Sequence, residues 1–97
     1  SGEVIARAHN EVEHQSDPSC HAELLAIRRA SATLGTWRLT DCSLYVTMEP
    51  CPMCIGAILL ARIDSLCFGA YDEVMGAVGS VFDLSNHDGL PRQVKVY

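Results

Sequence analysis

A chain of 97 residues, 48% of them hydrophobic, is enough for one compact domain and argues against disorder. The formal net charge is −5, and acids outnumber Lys and Arg in both halves, six to four over residues 1–48 and six to three over residues 49–97. That balance excludes a sequence-independent nucleic-acid binder built on a basic face, so a nucleic-acid substrate would have to be held through few, local contacts, or by parts outside these 97 residues.

Taken in chain order, Glu3 to Ala8 alternates in part and is β-compatible at Val4 and Ile5, which predicts a short strand. Asn10 to Cys20 is polar, turns at Asp17-Pro18-Ser19 and reads as a loop. His21 to about Leu34 consists mostly of good helix formers, with Leu24, Ile27 and Leu34 on one apolar stripe that Ser31 interrupts, and Gly35 as its stop. Leu44 to Met48 is a buried-strand run, and Pro50 to Ile63 is a second helix, with Pro52 tolerated in its first turn. Its longest apolar stretch, Ile55 to Ala61, is too short to span a bilayer, so no membrane partner is expected. Nor does a charged-then-apolar signal segment open the chain. Ser65 to Gly69 reads as a strand, residues 70–92 as a long glycine-bearing loop, and Val94 to Val96 as a last strand. Strands alternating with helices predict an α/β fold in a single domain over residues 1–97.

Two short motifs carry the chemistry. Cys51 and Cys54 stand three apart at a helix start, on one face and near the positive end of the helix dipole, which favours ionised sulfur. A bare Cys-x-x-Cys is as readily two small buried hydrophobes, but Pro50 ahead of this pair and a separate His21-Ala22-Glu23 shift the balance to metal. One imidazole and two thiolates are a zinc donor set that leaves the fourth tetrahedral position open, where a water can ionise near neutral pH. Two apart on a helix, His21 and Glu23 do not share a face, so Glu23 is poorly placed as a ligand and better placed as a general base and then acid. An odd count of five cysteines also disfavours a disulfide framework and points to a reducing compartment. Cys20, beside His21, is the one residue that could close the site as a fourth ligand.

His-x-Glu followed by Pro-Cys-x-x-Cys resembles the signature of zinc-dependent nucleobase deaminases. Within that superfamily Ser43 to Ala61, Arg62-Ile63-Asp64 and Phe68 to Ser80 are similar to tRNA-specific adenosine deaminases of the bacterial and plastid type. The resemblance implies a cytidine deaminase-like three-layer α/β/α fold with a mixed sheet, shortened here by a first helix and strand and by the closing helices. It implies zinc on His21, Cys51 and Cys54, with Glu23 as the catalytic proton carrier. Asn10 would hydrogen-bond the target base, the backbone N–H groups of Ala22 and Cys51 would orient water and base, and Asp72 would contact the nucleotide backbone. The implied reaction is hydrolytic deamination of adenosine to inosine in a tRNA anticodon loop or another single-stranded nucleic acid, by a cytoplasmic or plastid homodimer. Pro91-Arg92-Gln93 stands where the family usually has Asn-His-Arg, and Tyr71 where a basic residue is frequent.

Two other readings share these motifs. A deaminase of free guanine or cytosine uses both half-motifs, and the two differ only in pocket walls that a sequence does not display. A zinc-stabilised binding module would need a closed site, for which no fourth ligand stands at a suitable spacing. Met48, Met53 and Met75 are expected to pack, and Trp37 to cap an edge of the core.

Overall fold

A buried helix crossing between two parallel strands organises the chain. The computed structural model describes residues 3–97, and its elements are α1 (Val12–Gln15), α2 (Ala22–Leu34), β1 (Ser43–Met48), α3 (Pro52–Leu60), β2 (Ser65–Ala70) and β3 (Lys95–Val96). The strands lie in the order β1-β2-β3, and both pairings are parallel. Parallel neighbours require a crossover, which α3 supplies between β1 and β2. Leu44 stands opposite Leu66 and Val46 opposite Phe68.

Alternation along β1 sends Leu44 and Val46 toward the core while Tyr45 is 76% exposed on the other face. From α3 come Cys54, Ile55, Ile58 and Leu59, all buried. Leu39, Ile55, Ile58 and Leu66 are the largest apolar side chains among those fully withdrawn from solvent. Each such burial contributes about 1.5–3 kcal/mol before conformational entropy is counted. Ala30 carries α2 onto the same cluster.

The ends of the helices follow from backbone chemistry. Cys51 is extended (φ −78°, ψ 172°) and Pro52 enters at the first helical position, so α3 starts two residues later than the Pro50 predicted above. It stops at Leu60 because Arg62 adopts a left-handed conformation, φ 63°. Gly35 closes α2 in the left-handed region (φ 68°), as the sequence predicts.

The strand predicted at residues 4–8 does not form. Among the described residues no chain segment offers it a ladder, and the outer edge of β1 is unpaired. Ile5 and Ala6 instead pack on the core, and Arg29 Nη1 donates to the Arg7 carbonyl at 2.9 Å, taking an acceptor that a neighbouring strand would have used. Within the predicted loop at residues 10–20, Val12–Gln15 winds one helical turn. The face of α2 is also different from the predicted stripe: Leu25 and Ala30 are buried, whereas Leu34 is 45% exposed. Met48, Met53 and Met75 are exposed, since no described element lies over them, and Trp37 is 55% exposed instead of capping the core.

Candidate active site

Two helix N-termini meet at the carboxyl ends of the parallel strands, the edge at which α/β sheets collect ligands. β1 ends at Met48, and three residues later Cys51 becomes the N-cap of α3 with Cys54 in the first turn. His21 is the N-cap of α2, extended at φ −69° and ψ 151°. Its Nδ1 lies 3.4 Å from the Cys54 Sγ and 3.6 Å from the Cys51 Sγ. The ligand atoms of all three lie within 4.8 Å of one another.

Those separations suit a tetrahedral metal. Bonds of about 2.3 Å to sulfur and about 2.0 Å to nitrogen place neighbouring donors roughly 3.5–3.8 Å apart. The electrostatics agree. Cys54 is fully buried, and burial first, then the charges of Glu23 and Cys51, push its thiol far above the ordinary range. A divalent cation among the three side chains reverses that penalty and favours the thiolate.

The other predicted residues are distributed as follows. Glu23 is half-buried in the first turn of α2, close enough for its charge to act on Cys54, and lies outside the three-residue ligand group. Ala22 opens α2, where the backbone N–H groups of a first turn lack helical partners. Asn10 is exposed, and its Oδ1 accepts the Val12 N–H at 2.9 Å, so that oxygen caps α1 while the amide nitrogen is left available. Asp72 is half-buried, and its Oδ1 accepts the N–H groups of Val74 at 2.9 Å and Met75 at 3.2 Å. Cys20 is not brought into the ligand group; it is buried at 1% exposure, with burial first and then Asp17 raising its thiol pKa.

One residue of consequence was missed in the sequence. Glu49 is only 3% exposed, and its carboxylate accepts the N–H groups of Asp72 (3.1 Å), Val78 (2.8 Å) and Ser80 (3.1 Å) together with the Ser80 hydroxyl. Burial would raise its pKa, but those hydrogen bonds, led by Ser80, outweigh burial and hold the carboxyl below its usual value. The Ala77 N–H donates to the Pro50 carbonyl at 2.9 Å, so the segment after β2 is bound to the strand that delivers Cys51. Gly76 makes this approach feasible, since a Cβ there would come within 2.5 Å of the Glu49 carboxyl carbon. The available signal was an acidic residue directly ahead of Pro50-Cys51, where a solvated side chain has no evident use.

Comparison with known proteins agrees with this geometry. The MafB19-like deaminase family model matches residues 1–89. The tRNA-specific adenosine deaminase of Bacillus subtilis is 46% identical over 96 residues, covering 99% of this chain and 60% of the relative. The chain thus spans about three-fifths of that protein's length. A structure solved in a study of A-to-I editing by tRNA:A34 deaminases superposes with a TM-score of 0.95 at 42% identity, covering all of this chain and 70% of the other. Guanine deaminase from B. subtilis superposes with a TM-score of 0.74 at 36% identity, covering 100% of this chain and 64% of the other. The fold is that of the cytidine deaminase-like α/β proteins.

Proposed function

We propose that this chain, which belongs to the MafB19-like deaminase family, hydrolytically deaminates adenine to hypoxanthine in a tRNA loop or a comparable single-stranded segment. The carrying observation is the convergence of His21 Nδ1 with the Cys51 and Cys54 sulfurs, with the Glu23 charge acting on Cys54. His21, Cys51 and Cys54 would hold zinc. When bound, zinc supplies a Lewis acid that lets a water ionise near neutral pH. Glu23 would take a proton from water as the water oxygen bonds to the amine-bearing ring carbon, and would hand it to the amine nitrogen as the C–N bond breaks and ammonia leaves. The N–H groups of Cys51 and Ala22, at the starts of α3 and α2, orient the base, and the Asn10 amide donates to it. Asp72, on the turn tied to Glu49, would contact the nucleotide backbone.

The substrate assignment draws on the tRNA adenosine deaminase relatives and on the higher TM-score, 0.95 against 0.74 for guanine deaminase. A closed structural site has less support, because the ligand group comprises three side chains among the described residues. A homodimer is part of the proposal, since Met53 (40%), Leu60 (74%), Val74 (78%) and Met75 (48%) leave apolar surface open. No helix among the described residues is long and apolar enough to cross a membrane, and all five cysteines are free, which suits a reducing compartment. Incubation of the zinc-loaded chain with a loop-adenosine RNA hairpin, free guanine and cytidine tests the assignment. Inosine should accumulate in the hairpin fastest; faster turnover of guanine or cytidine would replace it.

A further inference from the structure

Trp37 holds two guanidinium groups against its ring, Arg38 at 5.1 Å and Arg62 at 5.2 Å from the ring centroid. Arg62 also borders a groove of about 900 Å³ with Arg92, Lys95 and Tyr97. In a chain of net charge −5, two of the seven Lys and Arg residues thus stack on one exposed indole, and Arg92 shares the groove with one of them. Among the described residues the ion pair is Arg29 with Glu11, and no carboxylate pairs with Arg38, Arg62 or Arg92. Asp83 lines the groove but its Oδ1 is engaged by the Ser85 N–H and hydroxyl. Asp64 lines it without closing an ion pair on an arginine.

Like charges held together without a counter-charge repel one another, and an acidic chain has carboxylates to spare for neutralising them. Burial, followed by the fields of Arg92 and Arg38, lowers the Arg62 pKa. The Arg62 Nε is buried with no hydrogen-bond partner, which leaves an unmet donor in the cluster. Its backbone is left-handed at φ 63°, at the position after a helix where glycine is the usual residue, so an arginine stands there against local preference. A planar guanidinium fork that is stacked on an aromatic face and lacks a carboxylate matches phosphate oxygens in charge and geometry.

We propose that Trp37, Arg38, Arg62 and Arg92 form a second contact surface for the polynucleotide substrate, taking its phosphate backbone at the end of α3 remote from His21, Cys51 and Cys54. The surface rests on the substrate class proposed above. The nine residues of α3 separate it from the metal ligands by roughly 14 Å at about 1.5 Å per residue. A base in the pocket and a phosphate on the arginines therefore belong to nucleotides several positions apart, such as a loop and the stem that closes it. This supplies few, local contacts, which is how an acidic chain can hold a polyanion.

The test uses the Glu23→Ala chain, which separates binding from turnover, and measures fluorescence anisotropy with a stem-loop RNA and with the isolated loop oligonucleotide across KCl concentrations. Arg38 and Arg92 are exposed and can be changed without touching the core. Arg38→Gln/Arg92→Gln should weaken stem-loop binding at least about tenfold at low salt. It should also reduce the log–log salt slope by about 1–2, as expected for the loss of two phosphate contacts. Binding of the isolated loop, zinc content and melting should be unchanged. Unchanged stem-loop affinity and slope would overturn the surface, as would an equal loss on the isolated loop. Arginine-dependent stem-loop binding in a zinc-loaded wild-type chain that forms no inosine would preserve the surface and remove the catalytic reading.

Discussion

The Glu49 carboxylate accepts the Val78 N–H at 2.8 Å, tying the loop after β2 to the residue pair that leads into Cys51. Through the same carboxylate the N–H groups of Asp72 and Ser80 are held, so the turn carrying Asp72 is fastened to the residue directly ahead of Pro50 and Cys51. Glu49→Gln presents donors to a ring of donors and should cost about 2–3 kcal/mol, the scale of a buried hydrogen bond to a charged group. Because the folded carboxyl titrates below its ordinary value of 4.5, its stabilisation is complete above that pH and is lost as pH falls through the lower folded value. Urea melts at pH 7 and pH 3 should therefore show the wild-type advantage over Glu49→Gln narrowing in acid. An advantage that is constant, or larger at pH 3, would contradict the hydrogen-bonded carboxylate.

Removal of one thiolate tests the metal centre. Cys54→Ser should bind zinc at less than about a tenth of the wild-type affinity, since a three-residue donor set loses one of its sulfurs. Elemental analysis after dialysis against a weak chelator reads this directly. Cys20→Ser, outside the ligand group, should keep its metal.

One substitution separates the turn cap that Asp72 makes from the nucleotide contact proposed for it. Asp72→Asn retains an Oδ1 for the Val74 and Met75 N–H groups and removes only the charge. Kinetics on a hairpin should then show a change in KM of a few fold with zinc content and melting intact, whereas Asp72→Ala should also lower the melting temperature, a turn cap being worth about 1 kcal/mol. An Asp72→Asn chain indistinguishable from wild type, beside an impaired Asp72→Ala, would place the whole effect in the turn.

The exposed apolar side chains and the open edge of β1 predict self-association. Light scattering over a dilution series should give a dimeric mass at micromolar concentration, and Leu60→Glu, on a side chain 74% exposed, should shift it toward monomer. A monomeric wild type with a cooperative melt would contradict it.

What was legible in the sequence is what local chemistry dictates. Cys51 and Cys54 three apart behind a proline, His21 at a helix start, the β-branched and aromatic run of β1 and the Gly35 stop each depend on neighbours in sequence, and the structure brings the three ligand side chains together. Features decided by distant partners were not legible. Val4 and Ile5 alternate like a strand, but a strand exists only where a ladder does. On α2 the helical period gives a face, yet whether Leu24 or Leu25 lies at its centre depends on how the helix is rotated onto α3. Glu49 reads as a solvated acid because its donors, at Asp72, Val78 and Ser80, lie 23 to 31 residues further along the chain. Trp37 reads as core because the arginine that flanks it from across the fold, Arg62, is 25 residues away in sequence.

The central claim is that His21, Cys51 and Cys54 hold a metal for chemistry that Glu23 carries out on an adenine. The most direct measurement follows inosine in a loop-adenosine hairpin and zinc content in the same preparations of wild type and Glu23→Ala. The account predicts about one zinc per chain in both, and a rate at least about a hundredfold lower in the variant, the scale of general acid–base catalysis. Zinc lost along with Glu23, or inosine formed at the wild-type rate without it, would contradict the account.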